Sequence, residues 1–180
     1  MKRLTLAVIA SLTLTTPLAA QHRAPDPTES IARMGLLAPL VGRWQGAGWM
    51  LLPDGSKSEF LSSEEVVSEL GGTVLLVRGK HFNKANPTLA VHDAMATIAW
   101  DQHAGHYRFR SHVANGMMGD FPLTVEGSRF VWTMDTPGGT IRYTTEFGND
   151  VWHEIGERGS DAKGWTKFLE MRLTRQPATP

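Results

Sequence analysis

From Gly42 to Thr174 the chain alternates apolar and polar residues with a period of two, and a turn signal breaks the pattern about every ten residues. That rules out a helical bundle, which needs apolar residues three and four apart. It also rules out a parallel sheet, whose crossovers need about a dozen residues or more each. The expected strands are 42–52, 57–70, 73–82, 90–100, 106–114, 117–125, 129–134, 140–147, 151–157 and 165–174. Between them lie Pro53-Asp54-Gly55, Gly71-Gly72, Asn115-Gly116, Glu126-Gly127 and Pro137-Gly138-Gly139, which suit hairpins because Gly and Asn accept positive φ. The prediction is an all-β fold: a closed antiparallel up-and-down barrel of about ten strands with a short N-terminal helix, since closure removes both unpaired edges. Strand spacing alone leaves a two-sheet sandwich open as the alternative.

The segment before the barrel has two parts. Lys2 and Arg3 precede an apolar run over 4–14, and Pro17-Leu18-Ala19-Ala20 supplies small residues, so 1–20 reads as a signal peptide cleaved after Ala20. The run is too short for a membrane-spanning helix. An exported chain, periplasmic or secreted, is therefore expected. Residues 21–35 form a flexible leader and the start of a helix in which Thr28 is the expected cap and Ile31, Met34 and Leu37 the apolar face, with Pro39 ending it. The barrel is expected over 36–175, with 176–180 as a tail.

Composition narrows the function classes. Eighteen Lys and Arg balance eighteen Asp and Glu, and loss of Lys2 and Arg3 leaves a formal charge of −2, so no basic field exists to collect nucleic acid. The absence of cysteine excludes disulfide scaffolds, thiol nucleophiles and Cys-type zinc sites. There is no Gly-x-Ser-x-Gly elbow, phosphate loop or dinucleotide fingerprint, and no His-Glu-x-x-His. Histidines 81, 92, 103, 106 and 112 read as surface or turn residues, no metal site is assigned, and the adjacent Glu64 and Glu65 point to opposite faces.

The string Leu40-Val41-Gly42-Arg43-Trp44-Gln45-Gly46-Ala47-Gly48 resembles the Gly-x-Trp opening strand of the calycin barrels, which include lipocalins and fatty-acid-binding proteins, and is also similar to nitrobindin-like haem-binding barrels. Val91 to Ala94, Tyr107 to Arg110, Trp152 to Glu154 and Phe168 to Met171 resemble a group of secreted bacterial domains of unknown function. Trp44 beside Gly42 suits a plug that closes one barrel end, with Arg172 or Arg175 from the last strand stacked on its ring. The resemblance implies that this pair is structural. It also raises haem as a cofactor, but Phe168 to Leu173 carries no axial His, and His153 one strand earlier is the nearest substitute.

Several residues are candidates for lining a pocket. On the 106–114 strand, Tyr107, Phe109, Ser111 and Val113 share one face and His106, Arg108, Arg110 and His112 the other. If the second set faces inward it suits an acidic head group; if outward it is a solvated face opposite an aromatic core. Val151 to Glu157 is equally two-faced. The ligand-binding candidates are Arg108, Arg110, His112, Arg142, Tyr143, His153, Glu154 and Trp132, with Trp49, Phe60, Trp100, Phe109 and Phe147 as further aromatic wall. The leading expectation is a binding protein whose partner is one small lipophilic or amphipathic molecule, with an anionic head group favoured. The alternatives are a cofactor-independent isomerase or cyclase using a His, Glu, Tyr and Arg pocket, and a haem-binding barrel.

Overall fold

Alternation is realised as ten strands: β1 (Gly42–Leu51), β2 (Lys57–Glu69), β3 (Val74–Asn83), β4 (Ala90–Asp101), β5 (His106–Val113), β6 (Met118–Glu126), β7 (Arg129–Thr136), β8 (Gly139–Gly148), β9 (Val151–Ser160) and β10 (Gly164–Gln176). They are seen in a computed structural model that describes residues 26–177. The expected leader peptide over 1–20 lies outside the described residues. Each strand pairs antiparallel with its neighbours in sequence, and β1 also pairs with β10. The result is a closed barrel rather than a sandwich. β10 continues to Gln176, which pairs with Arg43, so the barrel extends one residue beyond its expected limit.

Odd-numbered strands start at the end covered by helix α1 (Thr28–Gly35) and the 3-10 turn Ala38–Leu40, and the other end is the mouth. The helix starts differently from expectation. The Thr28 amide donates to Asp26 Oδ1 at 3.0 Å, so Asp26 supplies the capping oxygen and Thr28 opens the helix. Ile31 is exposed, because the buried stripe runs through Ser30, Met34 and Leu37 instead. Hydrogen bonds to the barrel set this rotation. Gln102 Nε2 donates to Ser30 Oγ at 3.0 Å, Tyr107 Oη to the Arg33 carbonyl at 2.7 Å, and Trp100 Nε1 to Glu29 Oε1 at 3.1 Å.

Trp44 closes this end. It is fully buried, donates from Nε1 to the Leu40 carbonyl at 2.8 Å, and meets Trp152 edge to face at 5.9 Å. Register places Arg175 opposite Trp44, with its guanidinium 4.2 Å from the ring centre. The same guanidinium donates to the Val41 carbonyl at 2.6 Å, the Pro39 carbonyl at 2.5 Å and Asp150 Oδ1 at 2.7 Å, tying the turn, β10 and the β8–β9 hairpin together. Gly42 makes room for it: its φ is +137°, and a Cβ there would lie 2.6 Å from Arg175 Nη1. Of the two expected stacking partners, Arg175 has this position. Arg172, three residues earlier and so on the opposite face, is exposed on the outer wall.

Candidate functional site

The inward faces follow from strand parity. β1 presents Trp44 and Met50; β2 presents Phe60, Ser62, Glu64 and Val66; β3 presents Leu75, Val77, Gly79 and His81. Above the sealed end they enclose a cavity of about 320 Å3. One wall is a row of rings in contact: Phe109 to Trp132 at 4.8 Å, Phe121 to Trp132 at 5.1 Å, Trp132 stacked on Tyr143 at 4.4 Å, and Tyr143 edge-on to Phe168 at 5.8 Å. A bulge between Lys167 and Leu169 turns both Phe168 and Leu169 toward the cavity. Met50, Met117, Met118 and Met134 also line it, with Met117 and Met118 exposed at the loop between β5 and β6.

The polar lining is small and deeply set. Glu64 Oε1 lies 3.2 Å from His81 Nε2, and Ser62 Oγ donates to the same oxygen at 3.5 Å. The imidazole of His81 stacks on Phe60 at 4.6 Å and lies 5.0 Å from that of His92. From β9, Glu154 Oε2 accepts from Thr145 Oγ1 at 3.0 Å. Gly79 leaves the space that the Glu64 carboxyl fills, since a Cβ at 79 would fall 2.5 Å from Glu64 Oε2. Trp152 Nε1 is the one buried side-chain polar atom without a hydrogen-bond partner among the described residues. It lies beside the Glu154 carboxyl and favours its ionised form without reaching hydrogen-bond geometry.

Burial sets the protonation of this lining. It pushes the Glu64 carboxyl up to about 8, against a small opposing pull from the Ser62 hydroxyl. Glu154 is raised by burial and then by the charge of Glu64, with Thr145, His81 and Trp152 pulling the other way. Burial lowers His81 and His92, and raises Tyr143 to about 12. At neutral pH the contact between Glu64 and His81 is therefore a hydrogen bond between a neutral carboxyl and a neutral imidazole, not an ion pair. Glu64 and the two imidazoles are thus uncharged at neutral pH, and burial pushes Glu154 in the same direction.

Of the candidates expected from sequence, Trp132, Tyr143 and Glu154 face this cavity. Arg108, Arg110, His112, Arg142 and His153 do not; their side chains leave the outer wall, and the inward placement that suggested an acidic head group is corrected. Arg108 pairs with Asp101 and Asp120, and Arg110 with Asp120 at 3.0 Å. Arg142 pairs with Glu157 at 2.7 Å and stacks on Trp165, His153 Nε2 lies 3.0 Å from Glu170 Oε1, and His112 is exposed. The physical reason is desolvation: Arg108, Arg110, Arg142 and His153 each find a carboxyl partner on the solvated outer wall, and His112 stays in water, so none is buried as a charge. Trp49 also lies outside, with Lys57 Nζ 4.0 Å above its ring. His153 is held on the outer wall by Glu170, away from the cavity, so it does not take the axial position suggested for it.

Glu64, His81 and His92 are the residues that sequence reasoning missed. The signal lay in β2, where Phe60, Ser62, Glu64 and Val66 share one parity and two apolar members mark it as the inner face. Glu65, as expected, points the opposite way, to Arg78 on the outer wall.

Fold and site together define a closed ten-stranded antiparallel barrel with one end sealed and an aromatic cavity inside. Among solved structures it is similar to Rv2717c from M. tuberculosis, with a TM-score of 0.61 and 14% identity over 80% of this chain and 97% of that one. It is also similar to the S-type phycobiliprotein lyase CPES from Guillardia theta, with a TM-score of 0.57 and 8% identity over 81% of this chain and 93% of that one. No family model and no curated protein matches the sequence.

Proposed function

We propose that the chain is an exported carrier that holds one small, largely apolar molecule inside the barrel. The observation that carries this reading is the cavity itself: about 320 Å3, walled by Phe109, Phe121, Trp132, Tyr143 and Phe168, within the range of small-molecule sites. A barrel that merely filled itself would have used those side chains to close the space. The likeness to a phycobiliprotein lyase is compatible with small-molecule binding in this fold. Export rests on the leader over 1–20; the expected form is a chain beginning near Gln21, and recovery of an unprocessed cytoplasmic chain from an export-competent host refutes it.

Binding is tested by quenching of the cavity tryptophans, Trp132 and Trp152, with a panel of apolar ligands, in the wild type and in Ala96→Phe, which fills the cavity from β4. Saturable binding lost in Ala96→Phe supports the carrier. Equal binding by both proteins, or none by either, overturns it. One observation favours a second reading, acid and base chemistry on the bound molecule: the hydrogen-bonded Glu64 and His81 present a proton donor and acceptor together in the cavity wall. Turnover of a bound isomerisable substrate, abolished in His81→Ala, is its test.

A further inference from the structure

Glu64, buried, and Glu154, partly buried, are two carboxyls lining one aromatic cavity, and the charge of Glu64 acts on Glu154. Among the described residues no Lys or Arg lines that cavity; Arg158, 5.8 Å from the Phe168 ring centre, is exposed. Cross-strand imidazoles do not fill the gap, because burial keeps His81 and His92 neutral. An independent sign of an incomplete site is the Trp152 indole N–H, sealed at the cavity wall with no acceptor. An ionised Glu154 beside it would be that acceptor, as it already is for Thr145.

We infer that the polar end of the ligand is an organic cation, a protonated amine or an amidinium, seated between Glu64 and Glu154 with its apolar body against the ring row from Phe109 to Phe168. This rests on the carrier reading and adds the ligand class. A cation supplies the one charge the wall lacks: it lets a carboxylate form, which then takes the Trp152 and Thr145 donors, and the faces of Trp132 and Tyr143 attract the same charge. An anionic head group seated there would meet two carboxyls, while Arg158, on the same face of β9 as Glu154, is exposed four residues farther along the strand. A neutral group would offer the carboxyls no counter-charge, so the indole donor would meet at best the weaker acceptor of a protonated acid.

The exchange has a proton balance. Burial favours the protonated form of both carboxyls; a carboxyl that ionises as the cation binds releases its proton to solvent, so the new pair of charges balances. His81 from β3 contacts Glu64, and His92 from β4, Tyr143 from β8 and Glu154 from β9 line the same cavity; Arg158, farther along β9, acts on Tyr143 and lies 5.8 Å from the Phe168 ring centre. Amine affinity should therefore rise with pH, by at most about tenfold per unit.

Three probes with one apolar body separate the possibilities: 1-naphthylmethylamine, 1-naphthylmethanol and 1-naphthoate, titrated against the purified protein by tryptophan quenching, with calorimetry in two buffers to count protons. The amine is expected to bind at least about tenfold more tightly than the alcohol at pH 8, the naphthoate more weakly than either, with uptake of a proton by the buffer. In Glu154→Gln the ratio of amine to alcohol affinity should fall to about one, while Arg110→Ala on the outer wall keeps the wild-type ratio. The buffer measurement on the wild type does not depend on any variant folding. Equal affinity for amine and alcohol, or preference for the naphthoate, overturns the inference while leaving the carrier standing. Failure of all three probes to bind overturns both.

Discussion

Replacing Glu64 by Gln tests the claim that the interior is neutral. In an unfolded chain this carboxyl ionises around 4.5; in the barrel it keeps its proton up to about 8. Between those values the unfolded state gives up a proton that the folded state holds, so unfolding becomes easier as pH rises. The contribution is fully present below about pH 4.5, declines by about 1.4 kcal/mol per unit, and is gone above pH 8, a loss of about 5 kcal/mol across the window. That is comparable with the whole stability of an ordinary domain. Gln preserves size and hydrogen bonding but cannot ionise, so the variant should gain on the wild type steadily across this range. His81 and His92, lowered by burial, act oppositely, losing stability as pH falls, but both chains contain them. Glu154, Tyr143 and Arg158 are likewise common to both. Urea unfolding followed by circular dichroism at intervals from pH 4.5 to 8.5 gives the difference directly. A difference flat within about 1 kcal/mol, or one that favours the wild type more as pH rises, would mean an ionised Glu64 paired with a charged His81, and the neutral-cavity argument would fall.

The plug is expected to be structural: Trp44→Ala should cost about 3–5 kcal/mol, the range for emptying a large buried aromatic site, and thermal unfolding will show it as a large drop in Tm. Gly42→Ala should cost more than about 1 kcal/mol, since it combines an unfavourable φ with a Cβ against Arg175; a neutral result in the same melt would separate Gly42 from the stacking of Arg175 on Trp44. Gly79→Ala should destabilise by about 1–3 kcal/mol by displacing the Glu64 carboxyl, and the pH dependence of stability should shrink with it. Arg110→Ala should change stability by no more than about 0.5 kcal/mol, because its partner is a half-exposed Asp120; a larger loss in urea titration would give that outer pair a role it is not assigned here.

Much of the fold was legible because period two and glycine-rich turns are local signals. Each strand was expected within three residues of its observed limits, and Trp44 with Gly42 marked the closed end. The inner face of a strand is a different kind of information. On β5 the sequence offers two consistent faces, one aromatic and one basic, and what decides between them is Asp120 on β6, a neighbour that only the register brings opposite Arg110. His153 is decided in the same way by Glu170 on β10. The bulge that brings both Phe168 and Leu169 into the cavity leaves no mark in the alternation, and Glu64 went unread because its charge suggested solvent while its parity pointed inward.

The outer ion pairs and the inner carboxyls answer each other. Lys80 with Asp93, Arg108 with Asp101, Arg142 with Glu157 and Lys167 with Glu170 are surface pairs that contribute little energy individually. Their effect is on register: a slip of one residue would turn such charges into the barrel and the aromatic row out into water, so they fix which face is inside. Glu64 and Glu154 sit on the face that this arrangement reserves for apolar residues, and at neutral pH and above they make the barrel less stable than amides would. Packing does not call for a carboxyl at either place, since Gln has nearly the same shape. A pair of acids kept where they weaken the fold, with space left for one of them by Gly79 and an idle indole donor beside the other, is the arrangement expected of a site whose complement arrives from outside.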